Sequence, residues 1–208
     1  MTPKDLLPRQ FQADCERFFQ SVIAPALATL RPSSPNTVTE FASVTEFLDA
    51  CTQSTFNLLA YEARRSFALT LGAIFERQLR IWSRVHSTAP RDLTHFDPML
   101  KAAAAKHRID LSRYDVGRIL RELYLLANAV RHGDGTAVEE LRKTALHLWP
   151  GLSLEAVERC NAMSIWSEAI QLSDDDLARY ATAIARFWGL ADREQGAMID
   201  AHTPSEYF

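Results

Sequence analysis

Residues 119–139 read Ile-Leu-Arg121-Glu-Leu-Tyr124-Leu-Leu-Ala-Asn128-Ala-Val-Arg131-His132-Gly133-Asp134-Gly135-Thr136-Ala-Val-Glu139, and this stretch decides the fold. A helix advances about 100° per residue, so with Arg121 at zero Ile119, Leu123, Leu126 and Val130 fall at about 140° to 200°. That is one narrow apolar stripe, suited to a core. Gly133-Asp134-Gly135 stops the helix, because glycine takes positive φ without a Cβ clash. Thr136-Ala-Val-Glu139 then reads as a capping box, its hydroxyl and carboxylate satisfying the free amides of a new helix. Two antiparallel helices joined at a tight corner are expected, the first over 112–132.

Working outward, residues 44–85 carry a second helical stripe, Phe56, Leu59, Ala63, Phe67, Leu71, Ile74 and Trp82, with Glu62, Arg65, Glu76, Arg77 and Arg80 on the other face. One long helix is expected there, with a break allowed near Thr52 to Thr55. Upstream, residues 6–24 read as a helix that Pro25 kinks or ends, followed by the linker 31–37. Pro90 and Pro98 bracket a loop before the short helix Met99–His107. Downstream, Trp149-Pro150-Gly151 closes the helix that starts at the corner, and a further helix spans 154–169. Ser173-Asp-Asp-Asp176 opens the last helix, with Leu177, Tyr180, Ile184 and Trp188 as its stripe. The reading is a single all-α domain over 1–208: a compact up-down bundle with its core at about 44–150, an N-terminal helix at about 6–24, C-terminal helices at about 154–189 and a mobile tail at 190–208.

Composition agrees. The chain has 208 residues, 47% of them hydrophobic and 24% charged, enough to close one core, and only seven glycines interrupt its Ala-, Leu-, Glu- and Arg-rich segments. No apolar run approaches the roughly 20 residues of a membrane span, and MTPKDLLPRQF lacks a signal-peptide block, so a cytoplasmic protein without membrane contact is expected. Cys15, Cys51 and Cys160 form no paired motif and read as buried thiols of a reducing compartment. His86, His95, His107 and His147 show no metal-ligand spacing, and phosphate loops, dinucleotide fingerprints and nucleophile elbows are missing, so neither metal nor cofactor is expected. Trp82, Trp149, Trp166 and Trp188 lie on helical patterns with apolar neighbours and read as core.

The net charge of −3 conceals a segregation: residues 61–132 hold 13 Lys or Arg against 7 Asp or Glu, and residues 133–208 hold 6 against 13. Balanced helix faces and an anion-binding face on the middle helices both account for it. The second face of the 112–132 helix bears on that choice. Arg121, Leu125, Asn128 and His132 lie within about −20° to 40°, with Tyr124 and Arg131 slightly further round. One reading makes Asn128 and His132 ordinary polar residues near a helix end, where a cation complements the dipole. The other notes that Asn128 and His132 share a face four residues apart, and that Tyr124 and Leu125 there call for a partner helix or second subunit to cover them.

The run Glu122-Leu-Tyr-Leu-Leu-Ala-Asn128-Ala-Val-Arg131-His132-Gly-Asp-Gly resembles the signature helix of HEPN-like domains, which typically reads Arg-Asn-x-x-x-His before a turn-forming residue. Leu71-Gly-Ala-Ile-Phe-Glu76-Arg-Gln-Leu79 is similar to that family's long helix, where an inward acidic residue is common. The resemblance covers roughly residues 50–150. It implies an all-helical bundle that dimerises through this helix and cleaves RNA without metal, as the effector of a toxin–antitoxin or antiviral defence system with an antitoxin or defence partner protein. On that reading His132 is the general base, Asn128 orients it or binds phosphate, and an arginine meets the charge that develops on phosphate.

This sequence departs from the pattern at Ala127, which occupies the position of the family's catalytic arginine. Arg131 is then the nearest substitute, with Glu76, Arg121 and Tyr124 in supporting positions. The same departure also fits a non-catalytic HEPN-like module that binds RNA or protein as a dimer.

Overall fold

The computed structural model describes residues 6–32, 41–86 and 95–192, and every regular element among them is helical. Residues 33–37 of the expected linker, the Pro90 end of the expected loop and the tail from 193 lie outside the described residues. The first helix, α1 (Leu7–Phe18), widens into a π-helical turn over Phe19–Ile23 and continues as α2 (Ala24–Thr29). The helix therefore passes Pro25 instead of ending there. The wider turn accommodates a residue that has no amide hydrogen and whose ring crowds the carbonyl one turn back.

α3 (Val44–His86) runs unbroken for 43 residues. No break occurs near Thr52 to Thr55, where the Thr52 and Thr55 hydroxyls donate back to the carbonyls of Leu48 and Cys51 at 2.9 and 3.0 Å within the continuous helix. α4 (Phe96–His107) takes Pro98 into its first turn, where a missing amide hydrogen is harmless. α5 (Val116–His132) starts later than Ser112, since Tyr114 and Asp115 are left-handed at φ 55° and 59°. α6 (Thr136–Thr144) stops short of Trp149, and α7 (Leu154–Met163) stops short of Ala169 at a left-handed Ser164. α8 (Asp174–Ala191) opens with a complete capping box between Ser173 and Asp176. The box expected at Thr136 does not form: Thr136 is already the first helical residue behind Gly135, and no side chain caps that end.

α8 is the axis of the core and packs against α1, α3 and α5, burying Leu177, Tyr180, Ile184 and Trp188 as their spacing predicts. The Trp188 indole donates to the Gln78 side-chain oxygen at 2.9 Å, and the Gln78 amide donates to the Phe11 carbonyl at 3.3 Å, tying three helices together. Phe75, Phe187 and Trp82 meet edge to face around this point. All four tryptophans are buried. Burial pushes the Cys15 thiol up to about 12, which leaves it unreactive, and Cys160 is also buried. Cys51 is instead exposed.

The face that α3 turns to the bundle differs from the expected stripe. Ala60, Arg64, Ala68, Leu71, Phe75, Leu79 and Trp82 are buried, whereas Phe56 and Leu59 are exposed. Arg65, expected outside, is buried and paired with Glu62 and Glu168 at 3.8 and 3.6 Å. Where α3 crosses α5, the helices approach so closely that a Cβ on Gly72 would lie 2.9 Å from the Ala127 Cβ. No described helix is long and apolar enough to cross a membrane.

Candidate functional site

The arginines of the middle segment answer the charge question first. Arg64 bonds to Asp174, Arg65 pairs with Glu168, Arg80 with Glu76, Arg118 with Asp115 and Glu122, and Arg121 with Asp97 and Glu140. Several of those carboxylates belong to the acidic C-terminal part. Part of the segregation along the chain thus resolves into ion pairs: those of Arg64, Arg65 and Arg121 reach other elements, and those of Arg80 and Arg118 are local pairs three or four residues apart.

The α5–α6 corner keeps an opening of its own. α5 ends at Gly133, whose φ of 75° lets the chain turn back, and the Gly133 amide still donates to the Ala129 carbonyl at 2.9 Å. Asp134 then fastens the corner to the segment after α7. Its two oxygens accept from the Trp166 amide at 2.8 Å and the Ser167 amide at 2.6 Å. Burial opposes the charge on Asp134, but the Ser167 hydroxyl, these amides and nearby Arg142 outweigh it and hold the carboxyl below its ordinary range. With the corner fixed, a cleft of about 380 Å³ is left between α5 and α6. Tyr124, Leu125, Asn128 and His132 form one wall, Thr136, Ala137 and Glu140 the other, and Gly133 to Gly135 the end.

Three of the six residues singled out from sequence meet in this cleft: Asn128, His132 and Tyr124. Asn128 is half-buried and His132 exposed, and neither has a hydrogen-bond or ion-pair partner among the described residues. Arg131 is also exposed and unpaired, one residue before His132 but outside the lining. The other two lie elsewhere. Arg121 is held by Asp97 at 3.1 Å and Glu140 at 2.9 Å and does not line the cleft. Glu76 bonds to Arg80 at 2.6 Å on α3, the ordinary i,i+4 arrangement, and does not line the cleft.

Tyr124 and Leu125 do not wait for a second subunit. The Tyr124 ring stacks on Phe96 of α4, with centroids 4.3 Å apart and planes 5° from parallel, and Leu125 is buried within the same chain. The departure at Ala127 also acquires a cause. Ala127 is only 6% exposed and packs on Gly72, so an arginine there would have to displace α3. Any cation for this cleft must come from another position, and Arg131 is the free one nearest in sequence.

Two features escaped the sequence reading. Glu122 is 3% exposed, yet Tyr180 donates its hydroxyl to it at 2.7 Å, Arg179 bonds it closely, Arg118 reaches it at 3.3 Å, and His147 lies 3.2 Å away. Burial and the Glu122 charge together push the Tyr180 phenol well above its usual range, so it stays a donor. Second, Trp149 and Trp166 line a groove of about 680 Å³, with the Arg142 guanidinium 3.5 Å above the Trp166 ring. Apart from Arg118, four residues before Glu122, the partners are 17 to 58 residues apart and leave no spacing to read. Among the described residues no His, Cys, Asp or Glu cluster could hold a metal. No family model, curated protein or solved structure matches the chain.

Proposed function

We propose that this chain is an HEPN-like protein that acts on RNA in the cytoplasm as a homodimer. In this reading it is a metal-independent endoribonuclease, the effector of a toxin–antitoxin or antiviral defence system, and an antitoxin or defence protein is its partner. The observation that carries it is the pairing of Asn128 and His132, one helical turn apart on the wall of an accessible cleft, with no partner to occupy either among the described residues. His132 is exposed and Asn128 half-buried on the wall of that opening, so a ligand can reach both side chains.

The chemistry needs only groups that the chain supplies. The His132 imidazole takes the proton of a ribose 2′-hydroxyl, and the freed oxygen attacks the adjacent phosphorus. The bond to the next 5′-oxygen breaks, leaving a cyclic phosphate and a 5′-hydroxyl once that oxygen takes up a proton. Imidazole suits both transfers because it exchanges protons near neutral pH. Arg131 meets the charge that builds on the phosphate, and Asn128 orients the ring or the phosphate.

Incubating the purified protein with RNA in a chelator tests this. Cleavage is expected, and His132→Ala should slow it by about 100-fold or more, with Arg131→Ala costing a comparable factor. Cleavage that continues at full rate in His132→Ala removes the assignment. A second reading, a module that binds RNA or protein without cutting, is favoured by the burial of Ala127, which fills the place of the family's arginine. It gains if RNA binds and His132→Ala weakens that binding while the RNA stays intact.

A further inference from the structure

The N-terminal third of α3 stands apart from the bundle that buries the rest of the helix. With Val44 at zero and about 100° per residue, Phe47, Leu48, Cys51, Thr55, Leu58 and Leu59 all fall within about 60° of it. The bundle-facing residues Ala60, Arg64, Ala68, Leu71, Phe75, Leu79 and Trp82 fall at about 160° to 260°, on the opposite side. Most of the first set is left bare, with Val44 75% exposed, Leu48 56%, Leu58 60% and Leu59 57%, while the Phe47 ring meets that of Phe41 edge to face. A contiguous apolar stripe about 24 Å long on one side of a helix is far more than the scattered surface hydrophobics of a monomer.

We propose that this stripe pairs with the same stripe of a second copy of the chain, the two α3 helices lying antiparallel. The spacing identifies the kind of partner. Val44, Leu48, Cys51, Thr55 and Leu58 step by four and three residues in turn, the seam that another helix meshes with. Charge narrows the choice. From Phe41 to Ala63 there is no Lys or Arg, while Glu46, Asp49 and Glu62 are acidic, so an anionic membrane surface is repelled. A second copy keeps Glu46 and Asp49 away from the seam, because both sit on the back of the helix at about 140° to 200°.

Orientation follows from what lies beyond the stripe. Glu62, Glu76 and Arg80 continue the same face toward the C-terminus, so in a parallel pair each would oppose its own copy. In an antiparallel pair Leu48 meets the partner's Leu58, Cys51 meets the partner's Thr55, and Glu62 comes to the first turn of the partner's α3, where the helix dipole favours an anion. The bundles then lie outward on both sides, and the contact is isologous and closed. This interface places the homodimer at α3 instead of at the α5 helix that the HEPN-like resemblance implies, so the mass measurement and the His132 cleavage assay test separate claims.

The mass of the full chain in solution tests the pairing. Light scattering should give twice the 23.5 kDa of one chain, and Leu48→Glu with Leu58→Glu should give the single mass with an unchanged helical circular dichroism spectrum. A wild-type chain that stays at 23.5 kDa at its highest soluble concentration overturns the proposal, and so does a double variant that remains a dimer. Thr55→Cys fixes the register. Mild oxidation should link it into a covalent dimer through Cys51 and position 55, while the wild type should not cross-link. A wild-type dimer linked through Cys51 alone would put each Cys51 against its own copy and would overturn the pairing of Cys51 with the partner's Thr55.

Discussion

The two ends of α5 hold their polar side chains in opposite states. At Glu122 a carboxylate is sealed between α5 and α8, and Tyr180, Arg179 and Arg118 converge on it. Two turns later Asn128 and His132 face a cleft with no partner among the described residues. One helix thus uses its polar residues in two ways. The buried end fixes how α5 sits on α8, and that placement lets the free end present an imidazole at a defined corner. A polar group whose bonds are all made inside the chain is part of the scaffold; one left unbonded beside open space is available for chemistry.

The contrast can be broken at either end. The largest effect is expected from Glu122→Ala, which strips a buried charge from Arg179 and Tyr180 and should destabilise the fold by about 4 kcal/mol in urea unfolding. Glu122→Gln keeps an acceptor and should lose about half of that. Next comes Ala127→Arg, which places an arginine where the HEPN-like pattern has one. Because that site packs on Gly72, the variant should lose about 3 kcal/mol and gain no cleavage.

Asp134→Ala should cost about 2 kcal/mol by leaving the Trp166 and Ser167 amides unmet. Its pH dependence has a definite sign. The folded carboxyl titrates below the unfolded value of about 3.9, so its contribution is complete above that pH and disappears as pH falls through the lower folded value. The gap between wild type and Asp134→Ala should therefore be equal at about pH 7 and pH 5 and should close only below about pH 4. The smallest change belongs to Asn128→Ala and His132→Ala, each expected within about 0.5 kcal/mol of wild type, because neither side chain bonds to another among the described residues.

The sequence showed the free end of α5 more clearly than the sealed one. The stripe from Ile119 to Val130 and the glycines of the corner are local signals, and the structure follows them to a helix that ends at His132. Glu122 lay in the same run, but Arg179 and Tyr180 are 57 and 58 residues away, and only the fold brings them together. α3 misled for another reason. It is apolar on two faces, so periodicity alone could not say which face meets the bundle or that the bundle begins only at Ala60. Tyr124 invited a partner because Phe96, which covers it, sits across a chain turn that the pattern could not place.

The most direct measurement follows the His132 ring itself. With nitrogen-labelled histidine, magnetic resonance signals of His132, identified by their loss in His132→Ala, are recorded while single-stranded RNA is added with its 2′-hydroxyls methylated so that it cannot be cut. The account predicts that these signals shift progressively to saturation, and that Asn128→Ala weakens the response. Signals of His132 that stay fixed while RNA binds elsewhere on the chain, or that show no RNA binding at any concentration, would contradict it.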